Sequence, residues 1–237
     1  MELAYGCILR HNYEKGDSAD ALLLGAIALN IGKYSRAVDW LEKSNEPEAA
    51  VISGLAYYRL QRPNKALSVI RGENEPLRDE FSPFGDGVEL ASMIKTGSRD
   101  TTSIRMKLQS LGMDDYYSRC IDAFSPPGKI PSAIASAALP GSGQILNGFY
   151  RDGLGAFVFC ALTGLFLFTN IDDNNEAGIA LGGILFASAY TGNVIGGYKS
   201  PVIRKNRKRG ELIEKIELES GIDEPIDIEH LFERNQE

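Results

Sequence analysis

The chain has 237 residues, 25 cations against 32 acids, a formal net charge of -7 and a pI near 5.0. Length admits one large domain or two small ones. The acid excess excludes a general nucleic-acid binder, which needs a cationic footprint to exchange for counterions. The charges are segregated, however. Lys199 to Arg209 holds six cations (Lys199, Arg204, Lys205, Arg207, Lys208, Arg209) and no acid, whereas Gly210 to Glu237 holds ten acids against Lys215 and Arg234. A basic block after an apolar stretch is the layout of a juxtamembrane segment.

Cys7, Cys120 and Cys160 lack CxxC spacing, and His11 and His230 lie near opposite ends. No disulfide framework, zinc site or convergent nucleophile and acid-base set is indicated. The expectation is a non-enzymatic chain without catalytic, cofactor or metal residues. The opening MELAYGCILRHNYEKGD has neither a basic n-region nor a long apolar h-region. Insertion through later segments is therefore expected, unless the natural start lies upstream and carries a signal.

Two stretches align without gaps, LGAIALNIGKYSRAVDWL from Leu24 and SGLAYYRLQRPNKALSVI from Ser53. Gly25 falls on Gly54, Ala37 on Ala66 and Leu41 on Ile70, each pair 29 positions apart. A fixed period of this kind signals a structural repeat. The small residues let two helices approach, and Gly32 and Pro63 stand where one helix stops and the next begins. The unit is read as a helical hairpin.

On these residues the segment resembles tetratricopeptide repeats, though it lacks their first-helix tryptophan and has a shorter period. A fragment from Tyr13, YEKGDSADAL, looks like the turn of a preceding copy, so the resemblance covers roughly residues 3 to 71. It implies a protein partner bound through the repeats. Gly72 to Phe84 reads as a loop. Val88 to Lys95, Thr101 to Leu111 and Asp114 to Phe124 read as helices. Ser125, Pro126, Pro127 and Gly128 break the chain, so 1–124 is taken as the repeat module and 125–129 as a linker.

A membrane domain is read over 130–209. Gly153 to Ile171 is uncharged and rich in Phe and Leu, and at 1.5 Å per residue it spans about 28 Å, close to the hydrocarbon thickness. A second uncharged run covers Ala177 to Tyr198, and the short loop Asp172 to Glu176 makes the two spans antiparallel neighbours. Gly178 with Gly182, and Gly192 with Gly196, have small-xxx-small spacing. Ile130 to Tyr150 is uncharged but interrupted at Pro140 to Gly143, and Pro131 to Leu139 is expected to form a short helix that enters the interface or re-enters the membrane. The loop has no cation while both flanks do, so the positive-inside rule places the ends of the hairpin, and the repeat module, in the cytoplasm. A signal upstream of the given start would make the module periplasmic.

The segments SAALPGSGQILNGFYRDGLGAF and GNVIGGYKSPVIRKN resemble uncharacterised bacterial membrane or envelope proteins with a tetratricopeptide-like region before a PGxGQ motif and a later GNxxGxY motif. The matching positions are Pro140, Gly141, Gly143, Gln144, Gly148, Gly153, Gly192, Asn193, Gly197, Tyr198 and Asn206. This resemblance implies no activity. Gln144, Asn147 and Asn193 must find partners at membrane depth. Hydrogen bonds joining the PGSGQ break to the second span would satisfy them, a structural role preferred to a ligand site.

Arg204, Lys205, Arg207, Lys208 and Arg209 read as a lipid-facing flank that fixes topology. The tail 210–237 reads as acidic and separate, ending in a stretch that is solvated or docks on a partner. The whole is an all-α chain, tetratricopeptide-like hairpins followed by a transmembrane hairpin, acting as a membrane-anchored scaffold or adaptor. A small transport or membrane-insertion accessory subunit is the alternative. Lipid and a protein are the expected partners, and nucleic acid and cofactors are not.

Overall fold

The computed structural model describes residues 18–72, 82–125 and 127–228. Cys7, His11, His230 and the first half of the Tyr13 fragment fall outside them. Every regular element among the described residues is a helix. The chain forms two compact units, one from 1–124 with 209–237 and one from 125–208.

The first unit contains α1 (Ser18–Asn30), α2 (Tyr34–Leu41), α3 (Pro47–Arg59), α4 (Pro63–Gly72), α5 (Ser82–Thr96), α6 (Thr101–Ser110), a 3-10 turn (Asp114–Tyr116) and α7 (Tyr117–Phe124). Helix α1 packs on α2, α3 on α4 and α5 on α6. The 29-residue period reappears in the backbone. At the end of α1, Gly32 N–H donates to the Leu29 carbonyl (2.9 Å) and Lys33 N–H to that of Ala28 (2.8 Å). At the end of α3, Gln61 N–H donates to the Tyr58 carbonyl (3.0 Å) and Arg62 N–H to that of Tyr57 (2.9 Å). Both are left-handed helix stops, with φ of 76° at Gly32 and 59° at Gln61.

The second turn therefore pivots on Gln61 rather than Pro63. Pro63 opens α4 instead, where its missing N–H has no helical partner to lose. The contacts between paired helices repeat too: a Cβ on Gly25 would meet Leu41, and one on Gly54 would meet Ile70 Cδ1 at 2.6 Å. Ala37 and Ala66 are fully buried. Helix α6 starts because the Asp100 carboxylate accepts from Ser103 N–H (3.1 Å) and Ser103 Oγ (2.6 Å). The loop expected to end at Phe84 already becomes helical at Ser82.

The tail is not separate. Leu212, Ile216, Ile222 and Ile226 are buried in the same apolar cluster as Leu24, Ile52 and Met93. Full burial of an isoleucine is worth about 1.5–3 kcal/mol, so the described part of 210–237 packs into the first unit.

The second unit contains α8 (Lys129–Ala138), α9 (Ser142–Leu146), α10 (Tyr150–Asp172) and α11 (Glu176–Ser220), the last belonging to this unit as far as Lys208. A span ending near Tyr198 was expected, yet α11 continues through Pro201. Proline leaves the carbonyl four residues back without a backbone donor. The Ser200 hydroxyl donates to that carbonyl, on Gly197, at 3.0 Å. Helices α10 and α11 are each long and apolar enough to cross a membrane, with mean hydropathy of 2.0 and 1.4 over their most apolar windows.

Candidate functional site

The most concentrated polar chemistry lies in the second unit, around the break at Pro140 and Gly141. Gly141 has φ 87°, and a Cβ there would collide with the Gly153 carbonyl, so only glycine allows the turn and the close approach to α10. Its N–H donates to Asn193 Oδ1 (2.7 Å), and Asn193 Nδ2 donates to the Ser136 carbonyl (2.7 Å). Asn193 thus reads a backbone donor on one side of the break and an acceptor on the other. Gln144 Nε2 donates to the Asn193 carbonyl (3.1 Å), and Gln144 Oε1 accepts from Ser136 Oγ (2.8 Å), which in turn accepts from Gly143 N–H (3.0 Å).

A second cluster continues the first. Asn147 Nδ2 lies within hydrogen-bond reach of Ser132 Oγ (2.9 Å), the Gly143 carbonyl (2.7 Å) and Ser200 Oγ (3.1 Å). Ser132, Ser136, Gln144, Asn147, Asn193 and Ser200 are all buried. Gly143, Gly196 and Gly197 make room: a Cβ on Gly196 would lie 2.5 Å from Gln144 Nε2, one on Gly197 2.8 Å from the Ser132 carbonyl, and one on Gly143 would meet that same carbonyl.

These contacts define a path. Lys129 lies 5.5 Å from the Tyr198 ring, Ser136 meets Asn193, and the Tyr190 hydroxyl donates to the Ala137 carbonyl (2.6 Å). Helix α8 therefore runs antiparallel to α11 toward the acidic loop for about 14 Å. The chain turns at Gly141, and α9 returns, so that Asn147 meets Ser200 and Arg207 stacks over the Phe149 ring at 5.5 Å. The result is a helical turn that starts and ends on the cationic side.

Its polarity is inverted relative to a water-exposed helix. Ser132 and Ser136 are buried, while Ile130 and Ile134, also four apart, are 67% and 63% exposed. Helix α10 repeats the pattern: Gly153, Cys160 and Thr163 face inward and Leu162, Leu165 and Phe168 outward. Gly182 seats against Leu167, where a Cβ would lie 2.9 Å from the Leu167 Cα, and Gly178 seats against Asn170.

Of the other motif positions, Gly148 (φ 82°) turns the chain into α10, Pro140 precedes the break, and Gly192 and Asn206 are exposed outside the network. In the basic flank, Arg204 lies 3.4 Å from the Leu146 carbonyl, Lys205 donates to that of Ser125 (2.7 Å) and Lys208 is exposed. Arg209, assigned to a lipid-facing role, instead belongs to the first unit, where it donates to the Ala123 carbonyl (2.9 Å) and lies over the Phe124 ring. Ser132, Ser136 and Ser200 were missed as network members.

The first unit holds a second polar constellation, also unanticipated. The Asn30 amide donates to the Ile226 carbonyl (2.8 Å) and accepts from Ile226 N–H (2.9 Å), and Arg59 donates to the Ile222 carbonyl (2.6 Å). The Tyr58 hydroxyl donates to Glu217 (2.6 Å) while the Lys95 ammonium stacks on the Tyr58 ring at 3.6 Å. Burial lowers the pKa of Lys95, with Glu217 opposing, and burial together with the Glu217 hydrogen bond raises that of Tyr58. Burial also pushes the Cys120 thiol up to about 11, so it is inert. Among the described residues no cluster of three metal-ligating side chains forms. Compared with protein-family models, curated proteins and solved structures, the chain matches none.

Proposed function

We propose that this chain is a non-enzymatic, membrane-anchored interaction protein of the scaffold or adaptor kind, held in a bacterial inner membrane by α10, α11 and the re-entrant α8–α9 turn. The observation that carries the reading is the inverted second unit, with serine, asparagine and glutamine inside and a coat of leucine, isoleucine and phenylalanine outside. A coat of this extent is stable in hydrocarbon and not in water, where contiguous exposed apolar patches rarely exceed a few hundred Å². A transport or insertion role would need polar groups turned toward a path. The inward bonding of Gln144, Asn147 and Asn193 supports the anchor instead. Cations at Lys129, Arg151 and Lys199 on one end, against Asp172, Asp173 and Glu176 on the other, support a cytoplasmic repeat module.

The test is carbonate extraction of membranes, followed by protease added outside spheroplasts. Retention with a protected module is expected. Release into the soluble fraction overturns the anchor, and digestion of the module overturns the orientation.

A further inference from the structure

We infer that residues Gly221 to Ile228 are a ligand supplied in cis to a peptide-binding groove of the first unit, and that the groove's partner in trans is a peptide with two isoleucine-like side chains four positions apart. The inference rests on reading the repeats as an interaction module and names the class of partner.

The segment is held as a ligand is held. Helix ends at Ser220, Gly221 takes φ 69°, and Glu224 N–H closes a turn onto the Gly221 carbonyl at 3.1 Å. Beyond this turn, side chains of the repeat helices grip the main chain. Asn30, the last residue of α1, pairs with both the N–H and the carbonyl of Ile226, and Arg59, the last residue of α3, donates to the Ile222 carbonyl at 2.6 Å. An amide that pairs with a backbone donor and acceptor together recognises any peptide in that register, so selectivity falls to the side chains. Two of them insert: Ile222 is fully buried and Ile226 is 8% exposed, while Asp223, Glu224 and Pro225 point outward. Equivalent ends of two successive repeats supply Asn30 and Arg59, which makes the groove a product of the repeat itself. A tethered ligand sits at millimolar effective concentration, so a partner peptide must compete for the groove.

The test uses the full chain in detergent with a protease site inserted between Ser220 and Gly221. After cutting and washing, a labelled peptide of residues 221–231 is titrated by fluorescence anisotropy while helicity is followed by circular dichroism. The cut chain is expected to keep its helicity, release the segment and bind one peptide, at least tenfold tighter than the uncut chain does. Asn30→Ala in the chain and Ile226→Asp in the peptide should each weaken binding at least tenfold. Loss of helicity on cutting would make the segment ordinary core and overturn the inference, as would binding that ignores both substitutions. Exchange seen only between two intact chains, as a dimer, would give the groove to a second copy and overturn a separate partner. Carbonate extraction reads the anchor independently, so the two proposals can fail separately.

Discussion

At Gln61 the second repeat copy carries a side chain where the first has Gly32, with the same left-handed backbone. A non-glycine residue there costs about 1–2 kcal/mol, partly offset because glycine is freer in the unfolded chain. Gln61→Gly should therefore stabilise the first unit by roughly 0.5–1 kcal/mol, read from its urea midpoint. The packing glycines differ in the opposite sense. A methyl on Gly25 meets the branch point of buried Leu41, whereas one on Gly54 meets the flexible tip of half-buried Ile70. Gly25→Ala should cost about 1–3 kcal/mol by overpacking. Gly54→Ala should be near neutral, its clash cancelled by a helix-propensity gain of about 1 kcal/mol, and parallel melts of the two variants check the order. In the second unit Asn193→Ala strands the Gly141 N–H and the Ser136 carbonyl. A loss of about 2 kcal/mol is expected, seen as a lower melting temperature in detergent.

Helix α8 makes the membrane reading testable one element at a time. Single cysteines at Ile134 and Leu139, in a chain whose own cysteines are replaced, should be shielded from a water-soluble maleimide in membranes, and one at Lys129 should react. Reaction at Ile134 as fast as at Lys129 would remove the re-entrant segment from the bilayer. The break itself was legible, because Pro140 and Gly141 interrupt an uncharged run and Gln144, Asn147 and Asn193 are polar where polarity is costly. The partners were less so: Ser132, Ser136 and Ser200 carry no signal until α8 is known to lie antiparallel to α11. The continuation of α11 was hidden for a local reason. Pro201 and six cations spell a stop, and only the Ser200 hydroxyl on the Gly197 carbonyl shows how the helix passes it.

For the molecule as a whole, the hairpins and the two apolar helices follow from periodicity and hydropathy, whereas the return of 209–228 into the first unit does not. Ile216, Ile222 and Ile226 stand among acids that dominate the composition of that stretch, so burial on one side is masked by charge on the other. Ion pairs tie the last hairpin to the rest. Glu89, from α5, lies 2.8 Å from both Arg71 of α4 and Lys107 of α6, and Asp86 lies 2.6 Å from Lys107. Burial opposes ionisation of Glu89, but the hydrogen bonds from Lys107 and Arg71 outweigh it and lower its pKa. A depressed carboxylate contributes stability above its unfolded pKa and loses it as pH falls through the folded value. Glu89→Gln should therefore destabilise the first unit by roughly 2 kcal/mol at pH 7. The gap from the native chain should close below about pH 4, as followed by urea unfolding across pH.

Division of the first unit between residues before and after the second has a consequence for biogenesis. A ribosome releases residues 18–124 long before Leu212, Ile216 and Ile222 exist, so the nascent module waits with an open apolar groove while the intervening residues 125–208 are made. Folding of residues 18–124 is thereby timed by residues 209–228. A chain that stalls before Arg209 leaves that groove unfilled, whereas one extended past Ile226 closes it.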